Sequence, residues 1–386
     1  MDESSRRRIL AILGMLLAAA ALIAGAMLFR NKNKETGQSR TDFAMGSAVS
    51  VKLYGSDVKR LVDQALEEVR KLDEEVISWR VEQSELSALN KDGKAGEAVS
   101  VSSCLGSALE QALRISKRSD GALDITLRPV LTLWGIEDGT AETFRVPSEE
   151  ELRKAAEHTG WKSVVVTPAD GNDTAAGADK AGDDGSRTGS DSTGIAYSVT
   201  RTDDQTILDL GSVGKGYALD VVYDVLRPEI GKTLDGGVIA VGGSILVFGK
   251  REDGSGASEG KGFRVGIRDP EGQPEDVLGV ITFPENTEKC CISTSGGYEK
   301  YVEKDGVRYH HIIDPATLHP ADSGLASVTV VCENGLVSDG LSTACFILGE
   351  EKAKQLLSEY GAEGILIRED GSRYITPGLE GRVEWK

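Results

Sequence analysis

The sequence predicts an α+β protein with mixed or antiparallel sheets and flanking helices. Helical and extended patterns follow one another without strict alternation, which argues against a doubly wound parallel sheet. Asp305-Gly306 and Asp370-Gly371 each lie between extended runs, and such dipeptides are typical of β-hairpins. The chain has 386 residues, of which 39% are hydrophobic, so it is long and apolar enough to bury a core.

An apolar run near the N-terminus predicts a membrane anchor. Arg6–Arg8 precede an uninterrupted run over residues 9–29, which is about long enough to cross a bilayer core. Ala24-Gly25-Ala26 resembles a signal-peptide cleavage site, but the apolar run continues to Phe29. We expect a short cytoplasmic N-terminus (1–8), a transmembrane signal-anchor (9–29), a linker (30–41) and an extracytoplasmic domain (42–386).

Hydrophobic periodicity predicts one strand and several helices in the first part of this domain. Ser148 is the expected N-cap of one helix, because Glu151 completes a capping box, and Gly160 ends that helix. The other predicted elements are strand Ala48–Tyr54 and helices Asp57–Ile77, Ser84–Asn90 and Ser103–Arg118.

Short strands with two polar insertions follow. Residues 170–194 have no apolar period, so we expect a disordered insertion there, and a smaller one at 251–262. The predicted strands are Ser163–Thr167, Ile207–Leu210, Val238–Val241, Ile245–Phe248, Phe263–Ile267, Val277–Phe283 and Ala326–Val331, with hairpins Tyr298–Val302/Val307–Ile313 and Ile365–Ile375. The predicted helices in this part are Tyr217–Leu226, Asp339–Leu348 and Glu351–Tyr360.

Composition argues against two kinds of site. The formal net charge of −18 supplies no cationic surface for nucleic acid. The five cysteines are an odd number and have no metal-ligand spacing, so we predict neither a disulfide framework nor a zinc site.

Residues suited to chemistry on a charged substrate are concentrated between Ser293 and Thr343. Asp339 and Thr343 lie four residues apart on a predicted helix with Ser338 as its N-cap, so both side chains leave one face. A hard cation such as magnesium prefers these oxygen ligands. The alternative is that Asp339 only complements the helix dipole and Thr343 packs on a neighbour.

Two further motifs could act on the same substrate. His310 and His311 lie on a predicted strand, where alternation turns one of them toward a cleft as a general base; a structural role is the alternative. The segment 209–216 leads into a helix, and Lys215 supplies a charge suited to phosphate. It matches no phosphate-loop fingerprint, so a glycine-rich turn with a solvated lysine explains it equally well.

Taken in order, these segments resemble the FAD:protein FMN transferase family, also called the ApbE family. The resemblance covers residues 43–349, nearly all of the chain after the apolar run. The matching segments are FAMGSAVS, SELSALN, SDGALDITLRPVLTLWG, LDLGSVGKGYALD, VGGSILVFG, STSGGYEKY, RYHHIIDP and SDGLSTACF.

The resemblance implies an α+β protein of two related subdomains with FAD bound in the cleft between them. Family members cleave the FAD diphosphate with Mg²⁺ and join FMN to a Thr or Ser hydroxyl of a target flavoprotein, releasing AMP. The implied Mg²⁺ ligands are Asp339, Thr343 and the backbone carbonyl of Ser212. The implied FAD contacts are Met45, Ala122, Leu123, Asp124, Asp209, Lys215 and Ile313. The implied catalytic residues are His311 as the base, Lys215 and Asp339.

Two positions depart from the family's pattern. Arg80, with Trp79 beside it, stands where many members have a tyrosine that stacks on the flavin, and either side chain could replace it. Leu318 stands where the family has a glycine; if that position has a positive φ, the leucine is strained or the loop is rearranged. These departures leave two alternatives: a flavin-binding carrier without transfer activity, and an FAD diphosphatase that produces FMN and AMP.

Overall fold

The computed structural model describes residues 37–136, 140, 143–168, 197–251 and 262–386. The predicted anchor at 9–29, the insertion at 170–194 and all but the ends of the insertion at 251–262 lie outside these residues. Within the described ranges, no helix combines the length and the apolar character needed to cross a membrane.

Extended segments occur along the whole described part of the chain. The strands are β1 (Gly37–Ala44), β2 (Ser47–Gly55), β3 (Ala98–Val101), β4 (Val164–Pro168), β5 (Tyr197–Arg201), β6 (Leu234–Val241), β7 (Ser244–Gly249), β8 (Arg264–Arg268), β9 (Val277–Thr282), β10 (Thr287–Gly296), β11 (Tyr301–Lys304), β12 (Val307–His310), β13 (Leu325–Cys332), β14 (Glu363–Arg368), β15 (Arg373–Ile375) and β16 (Val383–Trp385). Asp305 and Gly306 both have positive φ between β11 and β12, as a two-residue hairpin turn of the favoured twist requires.

The helices alternate with these strands irregularly. They are α1 (Lys59–Lys71), continued by a π-helical turn (Leu72–Ile77), α2 (Glu85–Asp92), α3 (Ser103–Arg118), α4 (Arg128–Trp134), α5 (Glu149–Ala156), α6 (Gly214–Leu226), α7 (Gly335–Leu348) and α8 (Glu350–Tyr360). Short 3₁₀ helices lie at Trp161–Ser163, Arg227–Glu229 and Pro377–Leu379. The capping box of Ser148 and Glu151 at the start of α5 is confirmed.

One large sheet organises the described residues. Its order is β1-β2-β6-β7-β10-β13-β14-β15, and every neighbouring pair in it is antiparallel. Smaller antiparallel sheets have the orders β16-β9-β8, β3-β5-β4 and β11-β12. The α+β class is therefore confirmed.

Both faces of the large sheet are covered. Successive side chains along its strands point to opposite faces, and apolar residues lie on both. Leu246 on β7 and Cys291 on β10 belong to the main core, under α6 and α7. Their sequence neighbours Val247 and Ile292 belong to a second core, which β8 and β9 cover. A side-chain period of two explains how adjacent residues enter two different cores.

Three sequence-based predictions of local structure are wrong. Ile207–Leu210 is not a strand, since only Ile207 forms a single bridge, to Leu127. The hairpin predicted at Tyr298–Val302 and Val307–Ile313 has its strands at Tyr301–Lys304 and Val307–His310. Helix α7 begins at Gly335 with Asn334 as its N-cap, one turn earlier than predicted, so Ser338 is a buried residue inside the helix. In addition, β1 begins at Gly37, within the segment expected to be a linker.

Candidate active site

Helices α6 and α7 touch through the backbones of two glycines. A Cβ added to Gly216 would lie 1.9 Å from the Gly335 carbonyl oxygen, and one added to Gly335 would lie 2.2 Å from the Gly216 oxygen. No side chain fits at either position, so the two helices approach more closely than larger residues would allow. This crossing brings the LDLGSVGKGYALD segment against the SDGLSTACF segment.

Asp339 is buried at this crossing, one turn after Gly335. Its Oδ2 accepts a hydrogen bond from the Gly216 backbone N–H at 2.9 Å, and its Oδ1 accepts one from the Ser244 hydroxyl at 3.1 Å. Burial raises the pKa of the Asp339 carboxyl, although the charge of Lys215 and these hydrogen bonds oppose the shift. A carboxylate whose ionisation is disfavoured by burial is a group that a bound cation would stabilise.

Lys215 is the second residue of α6, and Ser212 lies two residues before this helix. Lys215 interacts electrostatically with Asp339 and with Glu299. A Cβ on Gly242 would lie 3.2 Å from Lys215 Cδ, so the lysine stem runs along the turn between β6 and β7. Ser212 is half-buried in the turn that leads into α6. The positive end of a helix dipole and a lysine together favour an anionic ligand.

Met45 packs against the same helix start. It has a φ of +53°, which is unusual for a residue with a side chain, and its backbone N–H donates to Asp73 Oδ2 at 2.6 Å. A Cβ on Gly214 would lie 3.3 Å from Met45 Cε. The hydrogen bond from Met45 to the π-helical turn thus holds an uncommon backbone conformation next to Lys215.

Buried hydroxyls connect Thr343 and Asp339 to the large sheet. Ser295 Oγ on β10 lies 3.2 Å from Thr343 Oγ1. Ser293 on the same strand lies 3.1 Å from Ser244 Oγ and 2.8 Å from Ser338 Oγ. Because Ser244 in turn donates to Asp339, these hydroxyls hold α7 in register with β7 and β10.

The segment 122–124 lies beside Asp209. The Asp209 backbone N–H donates to the Ile125 carbonyl at 2.7 Å, which joins the two segments directly. Asp124 accepts from the Thr126 N–H at 2.8 Å and from its hydroxyl at 2.6 Å. Burial raises the pKa of the Asp124 carboxyl, and these hydrogen bonds oppose the shift. Ala122 and Leu123 are both buried.

A buried cation connects Asp209 to Trp79. Arg128 is 5% exposed and donates to Asp209 Oδ2 at 3.3 Å. Its guanidinium carbon lies 3.9 Å from the Trp79 ring centroid, and the guanidinium carbon of Arg80 lies 4.6 Å from it. Trp79 is therefore already engaged by two guanidinium groups, and stacking of Trp79 or Arg80 on a flavin stays a prediction.

The two adjacent histidines have different environments. His310 Nε2 lies 3.0 Å from the Ala321 carbonyl oxygen, and its ring packs edge-on against Phe346. Burial lowers the pKa of His310, with the contact to Ala321 opposing the shift. These contacts make His310 a structural histidine.

His311 is partly exposed, and the Lys300 carbonyl contacts it twice. Its backbone N–H donates to the Lys300 oxygen at 3.0 Å, and its Nδ1 lies 3.2 Å from the same oxygen. A carbonyl can only accept, so Nδ1 carries the hydrogen and Nε2 presents a lone pair. This tautomer is the one that a general base needs.

The segment after His311 is anchored by an apolar cluster around Trp134. Ile313 is 3% exposed, and its side chain packs inside this cluster. Leu318 has a φ of +65°, a left-handed conformation that is unfavourable for a residue with a side chain. The turn is nevertheless held, because Leu318 N–H donates to the Asp314 oxygen at 2.7 Å and Trp134 Nε1 donates to the Leu318 oxygen at 2.8 Å.

The sequence-predicted residues thus fall into three groups. Asp339, Lys215, Ser212 and Met45 gather at the start of α6, with Thr343 one turn beyond Asp339. The segment 122–124 lies against Asp209. His311 and Ile313 belong to a separate segment that follows β12. Sequence reasoning missed Ser244, Asp73 and Arg128. Ser244 and Arg128 stand within recognised motifs, but no local pattern indicates which distant residue each one contacts.

The oxygen donors at and near Asp339 are of the type that a magnesium ion accepts. Among the described residues, no group of three or more His, Cys, Asp and Glu side chains could hold a metal. A site here would combine the buried Asp339 carboxylate with the Thr343 hydroxyl and a backbone carbonyl. Mg²⁺ accepts such hard donors and typically keeps waters or phosphate oxygens in its other positions.

Comparison with known proteins identifies relatives over most of the chain. The ApbE family profile matches residues 45–366. A protein of Treponema pallidum named FAD:protein FMN transferase is 32% identical over 352 residues, which cover 89% of this chain and 88% of the relative. A protein of Haemophilus influenzae with the same name is 27% identical over 366 residues, 94% of this chain and 95% of the relative.

A solved structure supports the same relationship. The ApbE protein of Thermotoga maritima superimposes with a TM-score of 0.71 and 27% identity, covering 90% of this chain and 99% of that protein.

Proposed function

Because this chain belongs to the ApbE family, we propose that it is an FAD:protein FMN transferase. In the proposed reaction, FMN passes from FAD to a Thr or Ser hydroxyl of a target flavoprotein, and AMP is released. The proposal rests on one observation: Lys215 interacts electrostatically with the buried Asp339 carboxylate where α6 and α7 cross. Cleavage of a diphosphate requires neutralisation of its charge, and a lysine beside a metal-binding carboxylate supplies it.

Asp339, Thr343 and the Ser212 carbonyl would hold Mg²⁺. When bound, Mg²⁺ polarises the diphosphate and stabilises the charge that develops on its oxygens. Lys215 binds the same diphosphate as a point charge. Ser244 and the Gly216 N–H keep the Asp339 carboxylate in one orientation, which the buried hydroxyls behind it support.

His311 is proposed as the base that accepts the proton of the target hydroxyl at Nε2. The Lys300 carbonyl, which accepts from Nδ1–H, favours this tautomer. As the proton leaves, the hydroxyl oxygen forms a bond to the phosphorus of the FMN half. The bond between that phosphorus and the bridging oxygen breaks, and its electron pair leaves with AMP.

Met45, Ala122, Leu123, Asp124, Asp209, Lys215 and Ile313 are the proposed FAD contacts. Met45 lies beside Lys215, and Asp209 lies beside the segment 122–124, which supports one continuous binding surface. Since the Ile313 side chain is packed in the apolar cluster, we assign its contact to the backbone.

We also propose that residues 9–29 anchor the chain in the cell membrane with the transferase domain outside the cytoplasm. The apolar run and its basic flanks support this topology. Labelling of intact cells with a membrane-impermeant reagent should modify a cysteine introduced at exposed Val307. Labelling only after lysis would contradict this topology.

One assay tests the proposed activity against its alternatives. The full-length chain in detergent is incubated with FAD, Mg²⁺ and a protein acceptor bearing Thr, and the products are resolved by mass spectrometry. An acceptor that gains the mass of FMN, with equimolar AMP, supports transfer. Free FMN and AMP without a modified acceptor would indicate a diphosphatase, and intact FAD bound at stoichiometric occupancy would indicate a carrier.

A further inference from the structure

A fully buried carboxylate on α6 binds the start of α7. Asp220 Oδ1 accepts from the Gly335 backbone N–H at 2.7 Å, and Oδ2 accepts from the Leu336 N–H at 2.8 Å. Oδ1 also accepts from Lys289 Nζ at 2.6 Å. The Asp220 side chain is 0% exposed, so these three donors replace water around it.

These contacts fix α7 to α6 rather than capping it locally. The first N–H groups of a helix have no partner within the helix, and a carboxylate there also complements the helix dipole. The local cap, Asn334, already accepts from the Val337 N–H at 2.9 Å. Asp220 satisfies the two N–H groups that Asn334 leaves, and it does so from another helix.

The same two helices are joined again one turn away. Asp220 lies one turn after Gly216 on α6, and Asp339 lies one turn after Gly335 on α7, so each pair shares a helix face. Asp220 binds the start of α7, while the Gly216 N–H binds Asp339 at 2.9 Å. Because the glycine backbones touch between these two contacts, a displacement of α7 at Asp220 also displaces Asp339.

Lys289 on β10 neutralises the buried charge of Asp220. Its side chain is 12% exposed, and its Nζ lies 5.2 Å from the Tyr223 ring centroid. Burial opposes the charged form of Lys289, but the charge and hydrogen bond of Asp220, together with other acidic groups nearby, raise the pKa of the lysine. The ion pair therefore joins α6, α7 and β10.

We propose that Asp220 is a positioning residue for the metal site. It fixes the start of α7 so that Asp339 and Thr343 face Ser212 and Lys215 at the correct distance. Lys289 has the secondary role of keeping the buried carboxylate paired. This inference rests on the proposed function, because it gives Asp339 and Thr343 the role of metal ligands.

Three variants separate positioning from stability. Asp220→Asn keeps the shape of the side chain. Its amide group is a donor, however, and it would face a backbone N–H that is also a donor. Lys289→Met removes the cation and leaves both N–H bonds of Asp220 intact. The double variant Asp220→Asn/Lys289→Met avoids an unpaired buried lysine, so it keeps the test valid if Asp220→Asn alone does not fold. Val199→Ala on β5 is the control, because it removes fully buried methyl groups away from α6 and α7.

Metal binding is measured on the full-length chain with Mn²⁺ alone, by electron paramagnetic resonance of the free ion. We expect both Asp220 variants to bind Mn²⁺ about 10- to 100-fold more weakly, as is typical when a group that orients a ligand is lost. The kcat for transfer should fall while the KM for FAD changes little. Lys289→Met and Val199→Ala should lower the unfolding temperature but keep affinity near the wild-type value. Folded Asp220 variants with wild-type Mn²⁺ affinity would overturn the proposal.

Hydrogen exchange provides a readout that does not depend on the proposed reaction. Each variant is measured at the same number of degrees below its own unfolding temperature. Under that condition, peptides covering Gly335–Leu348 should exchange faster in the Asp220 variants than in Val199→Ala. Unchanged exchange would show that Asp220 does not hold α7. If the wild-type chain binds no Mn²⁺ and transfers no FMN while α7 still loosens in the variants, the proposed function fails and the link from Asp220 to α7 stands.

Discussion

The α6–α7 crossing and the segment that carries His311 are built in opposite ways. At the crossing, two helix backbones touch, and the carboxylates of Asp339 and Asp220 are buried with their hydrogen bonds satisfied. The His311 segment leaves its imidazole partly exposed, follows a two-stranded hairpin, and contains Leu318 with a left-handed backbone.

The difference matches two different chemical needs. Ligands for a small cation must be fixed closely, and a close-packed, hydrogen-bonded helix pair fixes them. A base for a protein hydroxyl must remain accessible, and His311 is partly exposed, with its Nδ1 held by the Lys300 carbonyl. Substitutions at the crossing should therefore affect metal binding and folding, whereas substitutions in the His311 segment should affect turnover or local stability.

The largest expected effect is that of Asp339→Asn. Removing a supporting group typically weakens metal affinity by roughly 10- to 100-fold, and removing a ligand itself should weaken it by more. FMN transfer should become undetectable. Since burial raises the pKa of Asp339, its ionisation near pH 7 costs stability, so the metal-free variant should unfold at the same or a higher temperature. Mass spectrometry of the acceptor and thermal unfolding with chelator measure both. Undiminished transfer at limiting Mg²⁺ would remove Asp339 from the metal site.

His311→Gln tests the other region. Loss of a general base should reduce kcat by about 100- to 10,000-fold. The unfolding temperature should change little, because the ring is partly exposed. His310→Gln is the neighbouring control and should retain most of the turnover, because His310 contacts Ala321 and Phe346. Equal losses of kcat in both variants would contradict the assignment of His311 as the base.

Gly216→Ala tests whether backbone contact at the crossing is required. The added Cβ would lie 1.9 Å from the Gly335 oxygen and 2.6 Å from Asp339 Cβ, so the helices must separate. We expect a loss of about 3 kcal/mol in the free energy of unfolding, at the upper end for overpacking, together with weaker metal binding. The control is Gly266→Ala on β8, where the three atoms nearest to the new Cβ belong to the Val277 side chain, the closest at 3.2 Å. Similar denaturant midpoints for the two variants would contradict this prediction.

A pair of variants isolates the backbone strain at Leu318. Both Leu318→Ala and Leu318→Gly lose the contact with the Trp134 cluster, but only glycine relieves the positive φ. We expect the glycine variant to be more stable than the alanine variant by about 1 kcal/mol. Denaturant unfolding measures the difference. An alanine variant as stable as the glycine variant would mean that the turn is not strained.

The smallest expected effect is a pH dependence from His310. Because burial lowers its pKa, the unfolded chain binds a proton that the folded chain excludes as the pH falls below about 6.5. Stability should therefore decrease with falling pH in that window, by less than about 1.4 kcal/mol per pH unit. His310→Phe should show a flatter profile between pH 7 and pH 5 in thermal unfolding. A profile as steep as that of the wild type would assign the dependence to another group.

Much of the fold could be predicted from local patterns. The capping box of Ser148 and Glu151, the hairpin turn at Asp305-Gly306 and the helix Ser103–Arg118 all follow from short-range geometry, and all are confirmed. The strand expected at Ile207–Leu210 failed because a strand needs a partner along its length, and this segment bonds to Ile125 and Leu127 at single points. The helix containing Asp339 was predicted one turn short, since Asn334 rather than Ser338 is its cap.

The sequence by itself determined the class of fold, the order of its motifs and the residue types suited to a metal, a phosphate and a proton. These features are encoded locally, in hydrophobic period, turn chemistry and side-chain identity. Only the tertiary structure decided that Asp339 meets the Gly216 N–H across 123 residues of sequence, and that Asp220 holds the start of α7. Such contacts depend on how the large sheet packs the two helices together, and no local pattern specifies that packing.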